Sequence, residues 1–191
     1  MREYRTSAKD LKLALLHYFR FKRQCICVDE FRGADIIADT GKTIIEVEIK
    51  LTKTDLINGE RKKSTKHQAY KLGDSYQRNQ PNLFLFCVPE SLVDVAVDWA
   101  AVINEKYGII AFDAVRFEQD INGGAGSLRP FYLPREDINH SDYVRVIRSA
   151  KELHQNYSAK MTRAIAYRAS AKLATLSKQQ FEWAMKARLE Q

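Results

Sequence analysis

Apolar positions along this chain fall into short periodic stretches separated by polar turns. Ala8, Leu11, Leu15, Tyr18 and Phe19 recur at three- and four-residue steps behind Ser7, a suitable N-cap, which predicts a helix over residues 7–22. Strand-like runs follow at 25–28, 34–38 and 43–50. Asp39-Thr40-Gly41-Lys42 joins the last two and suits a hairpin. Asn58-Gly59 marks a turn, and a basic loop then leads into a helix over 64–77. Residues 83–88 form a continuous apolar run closed by Pro89, as a buried strand does. A helix over 91–106, a strand over 108–112 and a further short strand near 114–117 are expected next. Asn122-Gly123-Gly124-Ala125-Gly126-Ser127 lacks the Gly-Lys-Ser/Thr of a phosphate-cradling loop and reads as a flexible connection.

Beyond Pro134 the periodicity predicts helix to the end. Tyr143, Val146, Ile147 and Ala150 mark a first piece, Met161, Ile165 and Ala169 a second, and Phe181, Met185 and Leu189 a third. The expected fold is mixed α/β. Residues 1–134 form the core, and 135–191 form a basic helical C-terminal extension packed on or beside it.

Composition narrows the class. At 191 residues the chain is long enough for one good core and too short for two large ones. With 45% hydrophobic and 29% charged residues it reads as a folded, soluble protein rather than a disordered one. No apolar run approaches the roughly 20 residues of a membrane span, so no membrane partner is expected. The N-terminus lacks the apolar stretch of a secretory signal. Cys25, Cys27 and Cys87 are an odd set with no zinc-type pair, which fits free thiols in a cytoplasmic protein. The formal charge of +7 is unevenly spread. Residues 141–191 carry ten Lys/Arg against four Asp/Glu, and Arg61, Lys62, Lys63, Lys66 and Lys71 form a second run without an intervening acid. Such patches suit a polyanion, nucleic acid above all, although solvated helix faces produce them too.

One constellation carries chemistry. On a strand over 43–50, Ile45, Val47 and Ile49 face one side while Glu46, Glu48 and Lys50 face the other. The preceding strand places Asp35 among apolar residues, thirteen positions before Glu48 across a short hairpin. Asp is disfavoured inside strands, and two carboxylates on neighbouring strands repel unless a cation sits between them. Hard carboxylate oxygens suit Mg²⁺ or Mn²⁺. Lys50 reaches the same pocket, where it could orient or deprotonate a water or steady a phosphorane. Those groups suffice for phosphodiester hydrolysis.

Asp35 followed by Glu48-Ile49-Lys50 resembles the D…(D/E)-x-K pattern of the PD-(D/E)XK nuclease superfamily. Arg32-Gly33-Ala34-Asp35-Ile36-Ile37-Ala38 with Glu46-Val47-Glu48-Ile49-Lys50 looks most like its MmcB-like DNA repair group. There a helix with Lys and Tyr precedes a hydrophobic strand ending in Val-Pro, as Lys66 and Tyr70 precede Val88-Pro89 here. Ala34 stands where the superfamily's motif has Pro. The likeness covers about residues 7–112, with a weaker one over 148–154. It implies a restriction-endonuclease-like mixed β-sheet core flanked by helices, and Mg²⁺- or Mn²⁺-dependent cleavage of DNA in repair, recombination or defence. Asp35, Glu48 and Lys50 are then catalytic. Asp35, Glu48 and position 49 (Ile49) hold the metal, and Lys66, Tyr70, Arg61, Lys62 and Lys63 bind nucleic acid.

Several residues have plainer readings. Glu46 is a possible extra ligand, against a solvent-facing acid or a Lys partner. Glu3 and Asp10 are alternative first-helix acids, against ordinary solvated ones. Lys66 and Tyr70, one helical turn apart, reach one groove or are a surface Lys and a packed Tyr. His67, about 100° around the helix from Lys66, is expected in solvent. Trp99, Trp183 and Phe181 read as core. The competing functions are a non-catalytic DNA-binding or scaffolding protein and an RNA-directed nuclease. With no helix-turn-helix or zinc-finger reader recognised in the sequence, specificity is expected to come from recognition of nucleic-acid structure, or from a partner protein or a homodimer.

Overall fold

A computed structural model describes residues 5–72, 80–122 and 140–189. It is an α/β protein built on a six-stranded, mixed, open sheet in the order β1-β2-β3-β4-β5-β6. The strands are β1 (Ile26–Phe31), β2 (Ala34–Asp39), β3 (Ile44–Ile49), β4 (Leu83–Pro89), β5 (Gly108–Phe112) and β6 (Val144–Arg148). β1, β2 and β3 run antiparallel in turn, β3-β4-β5 are parallel, and β6 returns antiparallel on β5. The β1–β2 turn is Arg32-Gly33, both left-handed (φ 53° and 83°), the mirror-image turn that matches strand twist. At the other hairpin, Asp39 Oδ1 accepts the Gly41 N–H at 2.7 Å.

Helices cover both faces. α1 (Ala8–His17) begins with Ser7, whose N–H and hydroxyl both donate to Asp10 Oδ2 at 2.7 Å, and it continues as a π-helical turn over Tyr18–Lys22. Its Leu11, Ala14, Leu15 and Phe19 pack on Ile36, Ile45, Val47 and Ile110. On the opposite face, α2 (Ser64–Leu72) and α3 (Val93–Ile103) sit over Phe84, Phe86 and Ile109. α5 (Ala159–Leu189) lays Met161 and Ile165 on Val28, Ile37 and Ile44. Among the described residues, no helix is long and apolar enough to cross a membrane.

Four expectations need correction. The strand near 114–117 is the first turn of α4 (Ala114–Asn122), where Asp113 Oδ1 accepts the Arg116 N–H at 2.9 Å as a cap. The helix expected around Tyr143, Val146, Ile147 and Ala150 is instead β6, because the free edge of β5 offers Val144, Arg145, Val146 and Arg148 a ladder, with Ile147 at a bulge. The sheet thus draws on residues expected in the helical extension. The second and third helical pieces are one helix, α5, with no break between them. The turn at Asn58-Gly59 closes a π-helical stretch, Asp55–Gly59. Residues 73–77, 123–127 and Pro134, named above, lie outside the described residues, as does Glu3.

Candidate active site

The site begins where the sheet forks. The β2–β3 ladder runs from Asp39↔Ile44 to Ile36↔Val47 and stops there. β2 stays paired with β1 as far as Ala34, and β3 stays paired with β4 as far as Ile49. Continuing the register would set Asp35 opposite Glu48. In place of a ladder bond, Asp35 Oδ2 accepts the Ile49 N–H at 2.8 Å. Asp35 therefore grips the Glu48-Ile49-Lys50 segment directly. Its other oxygen lies 3.7 Å from Lys12 Nζ of α1, and its side chain is 31% exposed. Lys50 follows the strand, its N–H held by the Cys87 carbonyl at 2.9 Å.

Alternation along β3 does what its sequence pattern predicts. Ile45, Val47 and Ile49 enter the α1 side of the core, and Glu46 and Glu48 turn toward α2. There a chain of alternating charges forms. Glu46 pairs closely with Lys66, Lys66 with Glu48 at 2.6 Å, and Glu48 with Lys63 at 2.6 Å. Lys63 is 3.5 Å from Glu60, and Lys50 donates to Glu60 at 2.7 Å while lying 3.8 Å from Glu48 and from Asp55. Glu48 is 1% exposed, so a full carboxylate is buried between ammonium groups.

Glu60, His67 and Tyr107 are the members that sequence reasoning missed. Glu60 lies just before α2, and His67 is buried rather than in solvent. His67 Nε2 lies 2.8 Å from Glu60 Oε2, and Nδ1 lies 2.8 Å from the Tyr107 hydroxyl. A carboxylate only accepts, so Nε2 carries a proton and donates to Glu60, while Nδ1 shares a hydrogen bond with the Tyr107 hydroxyl. The seven-residue separation of Glu60 and His67 was the available signal; Tyr107 had none.

These contacts fix protonation. Burial alone would lower the Lys50 pKa, but Glu60, Glu48 and Asp55 outweigh it and hold the ammonium above its usual value. Lys66 follows the same balance with Glu46 and Glu48. Burial would raise Glu60, yet His67, Lys50 and Lys63 bring it down to about 2. Burial, then Glu46, push the Tyr70 hydroxyl well above its ordinary range, so it remains a donor, to Glu46 Oε2 at 2.8 Å.

The structure thus brings together Glu48, Lys50, Lys63, Lys66, Tyr70 and Glu46, with Asp35 attached through the backbone of Ile49. Glu46 takes the partner reading: it pairs with Lys66 and is buried. Arg61 stacks its guanidinium over the Trp99 ring at 5.4 Å, apart from the charge chain, and Lys62 is exposed. Asp10 caps α1. A cleft of about 270 Å³ opens beside Glu46, Lys63, Lys66 and Tyr70 and reaches the Phe31-Arg32-Gly33 tip.

No protein-family model, curated protein or solved structure matches this chain. The Asp35 and Glu48 carboxylates and the main-chain carbonyl of Ile49, whose side chain has no donor, are hard oxygens of the kind Mg²⁺ takes. Lys63 and Lys66 already supply positive charge to Glu48. Among the described residues no three His, Cys, Asp or Glu converge as a cage. A two-carboxylate set is nonetheless sufficient for Mg²⁺, which keeps several waters. By type these oxygens would suit such an ion, with Glu48 giving up its lysine contacts for it.

Proposed function

We propose that this chain is a divalent-metal-dependent nuclease hydrolysing DNA phosphodiester bonds in repair, recombination or defence, on a restriction-endonuclease-like core of PD-(D/E)XK type. The observation that carries this reading is the fork. The β2–β3 ladder gives way at Asp35 and Glu48, and Asp35 is tied to the tripeptide that bears Glu48 and Lys50. Asp35, Glu48 and the Ile49 carbonyl would hold Mg²⁺ or Mn²⁺. Such an ion supplies Lewis-acid polarisation of a phosphate and a more acidic bound water.

The chain's own residues have separable tasks. Lys50, paired with Glu60 and 3.8 Å from Glu48, is placed to donate to a phosphate oxygen and balance developing negative charge. Lys63 and Lys66, partly exposed beside the cleft, are placed to meet backbone phosphates. Tyr70 fixes Glu46, and Glu46 fixes Lys66, so both position a phosphate-binding group.

The test is cleavage of single-stranded, duplex and branched DNA, with RNA alongside, in Mg²⁺ and in Mn²⁺. Glu48→Gln and Lys50→Ala are each expected to lower the rate by about a hundredfold or more. Cleavage that survives both substitutions would sink the assignment, and preferential RNA cutting would move the substrate. A second reading has its own support. Glu48 and Lys50 are fully engaged by Lys63, Lys66 and Glu60, as in a site whose charges serve only the fold. Salt-sensitive DNA binding by a wild type that never cuts would establish that non-catalytic reading instead.

A further inference from the structure

Phe31, at the tip of the β1–β2 hairpin, lines two adjoining clefts. One is the cleft beside Glu46 and Lys66. The other, about 420 Å³ and shallow, runs along α5 and is lined by Phe31, Lys160, Arg163, Ala164, Tyr167 and Arg168. Lys160, Arg163, Ala164 and Tyr167 recur at three- and four-residue steps and form one strip of the helix. Its buried neighbours Met161 and Ile165 dock α5 on the sheet and leave this strip outward. Tyr167 is 78% exposed, a whole aromatic ring held in water.

Three cations, two rings and no carboxylate line this second cleft. Cations alone would suit any polyanion. The rings discriminate: a duplex hides its base faces in the stack, whereas an unpaired strand presents them beside its phosphates. Aromatic platforms within a cationic groove are how single strands are held without sequence preference. An acidic peptide would answer the charge but leave the open Tyr167 ring without a matching flat face.

We propose that the α5 strip and the Phe31 tip bind an unpaired DNA strand and lead it into the cleft at Lys63 and Lys66, so that the substrate is single-stranded DNA or a single-stranded portion of branched DNA. The cleavage half of this statement rests on the nuclease reading; the binding half does not.

Binding is measured by fluorescence anisotropy on the full chain in EDTA. The probes are a labelled single-stranded oligodeoxynucleotide, its duplex and the RNA of the same sequence. The single strand is expected to bind at least about tenfold more tightly than the duplex at physiological salt. Tyr167→Ala is expected to weaken single-strand binding about tenfold and leave duplex binding unchanged, while Tyr167→Phe retains it. Arg163→Ala is expected to reduce the salt slope of single-strand binding by about one. Both residues are exposed, so the variants keep the fold, which a melting curve verifies. Tighter binding of duplex or RNA overturns the proposal, as does an unchanged single-strand affinity in Tyr167→Ala. Tyr167-dependent binding by a protein that does not cut in Mg²⁺ would instead leave this surface standing and remove the nuclease reading.

Discussion

Glu60 is fully buried, yet the protein keeps it ionised well into acid. Desolvation of that carboxylate is offset by the Lys50 ammonium at 2.7 Å and the His67 N–H at 2.8 Å. Removing one member of such a buried set leaves the others uncompensated, which is costlier than never having had them. Glu60→Gln is therefore expected to lower unfolding stability by about 3 kcal/mol, read from urea denaturation at neutral pH. A pH series gives a second readout. Its folded pKa of about 2 lies below the ordinary 4.5, so this group's contribution is complete above pH 4.5 and is shed as pH falls toward 2. The variant should show a shallower loss of stability across that window than the wild type. Equal slopes would mean that folding does not lower the Glu60 pKa. Glu48 and Lys50 could be read from alternation on one strand, because periodicity is local. Glu60, His67 and Tyr107 could not, because His67 meets a hydroxyl forty positions away that only the folded sheet brings to it.

The elements were legible in proportion to how completely each is buried by its own pattern. β4, apolar throughout, and α1, with its clean helical stripe and Ser7 cap, need no partner to be recognised. β6 is the opposite case. Arg145 and Val146 face water, so its exposed positions obscure the two-residue period, and Tyr143, Val146, Ile147 and Ala150 happen to fit a helical one. Pairing with β5 decides the matter. Gly108 makes that pairing possible: a Cβ there would lie 2.6 Å from the Ala150 nitrogen, 2.7 Å from Leu85 Cδ2 and 2.8 Å from the Arg148 carbonyl oxygen. Two of those are backbone atoms that cannot swing aside. Gly108→Ala is expected to destabilise by about 3 kcal/mol, a drop of roughly 6–12 °C in melting temperature for a chain of this size. A melting temperature within a degree of wild type would show that β6 does not lie on β5 at this point.

At the scale of the whole molecule, the C-terminal helix serves two different purposes along its length. Its 31 residues extend about 46 Å at 1.5 Å per residue. The first part closes the sheet. Met161 and Ile165 are buried over Val28, Ile37 and Ile44, and Lys172 reaches Asp29 at 2.5 Å. Beyond that pair Leu173, Leu176 and Phe181 are largely exposed. The basic tail foreseen from the sequence thus becomes a packed lid in its first half, an outcome that depends on β1 and β2 offering an apolar surface. Deleting residues 177–191 should then leave the melting temperature within about 2 °C, since surface changes rarely exceed about 0.5 kcal/mol. Deleting 159–191 should cost several kcal/mol, because losing a buried Met or Ile side chain alone costs about 2–5. Thermal melts of the two truncations at several protein concentrations test this division. If the shorter deletion is the damaging one, and its effect grows with concentration of the full chain, the distal helix is buried in an assembly and its exposed leucines face a second copy.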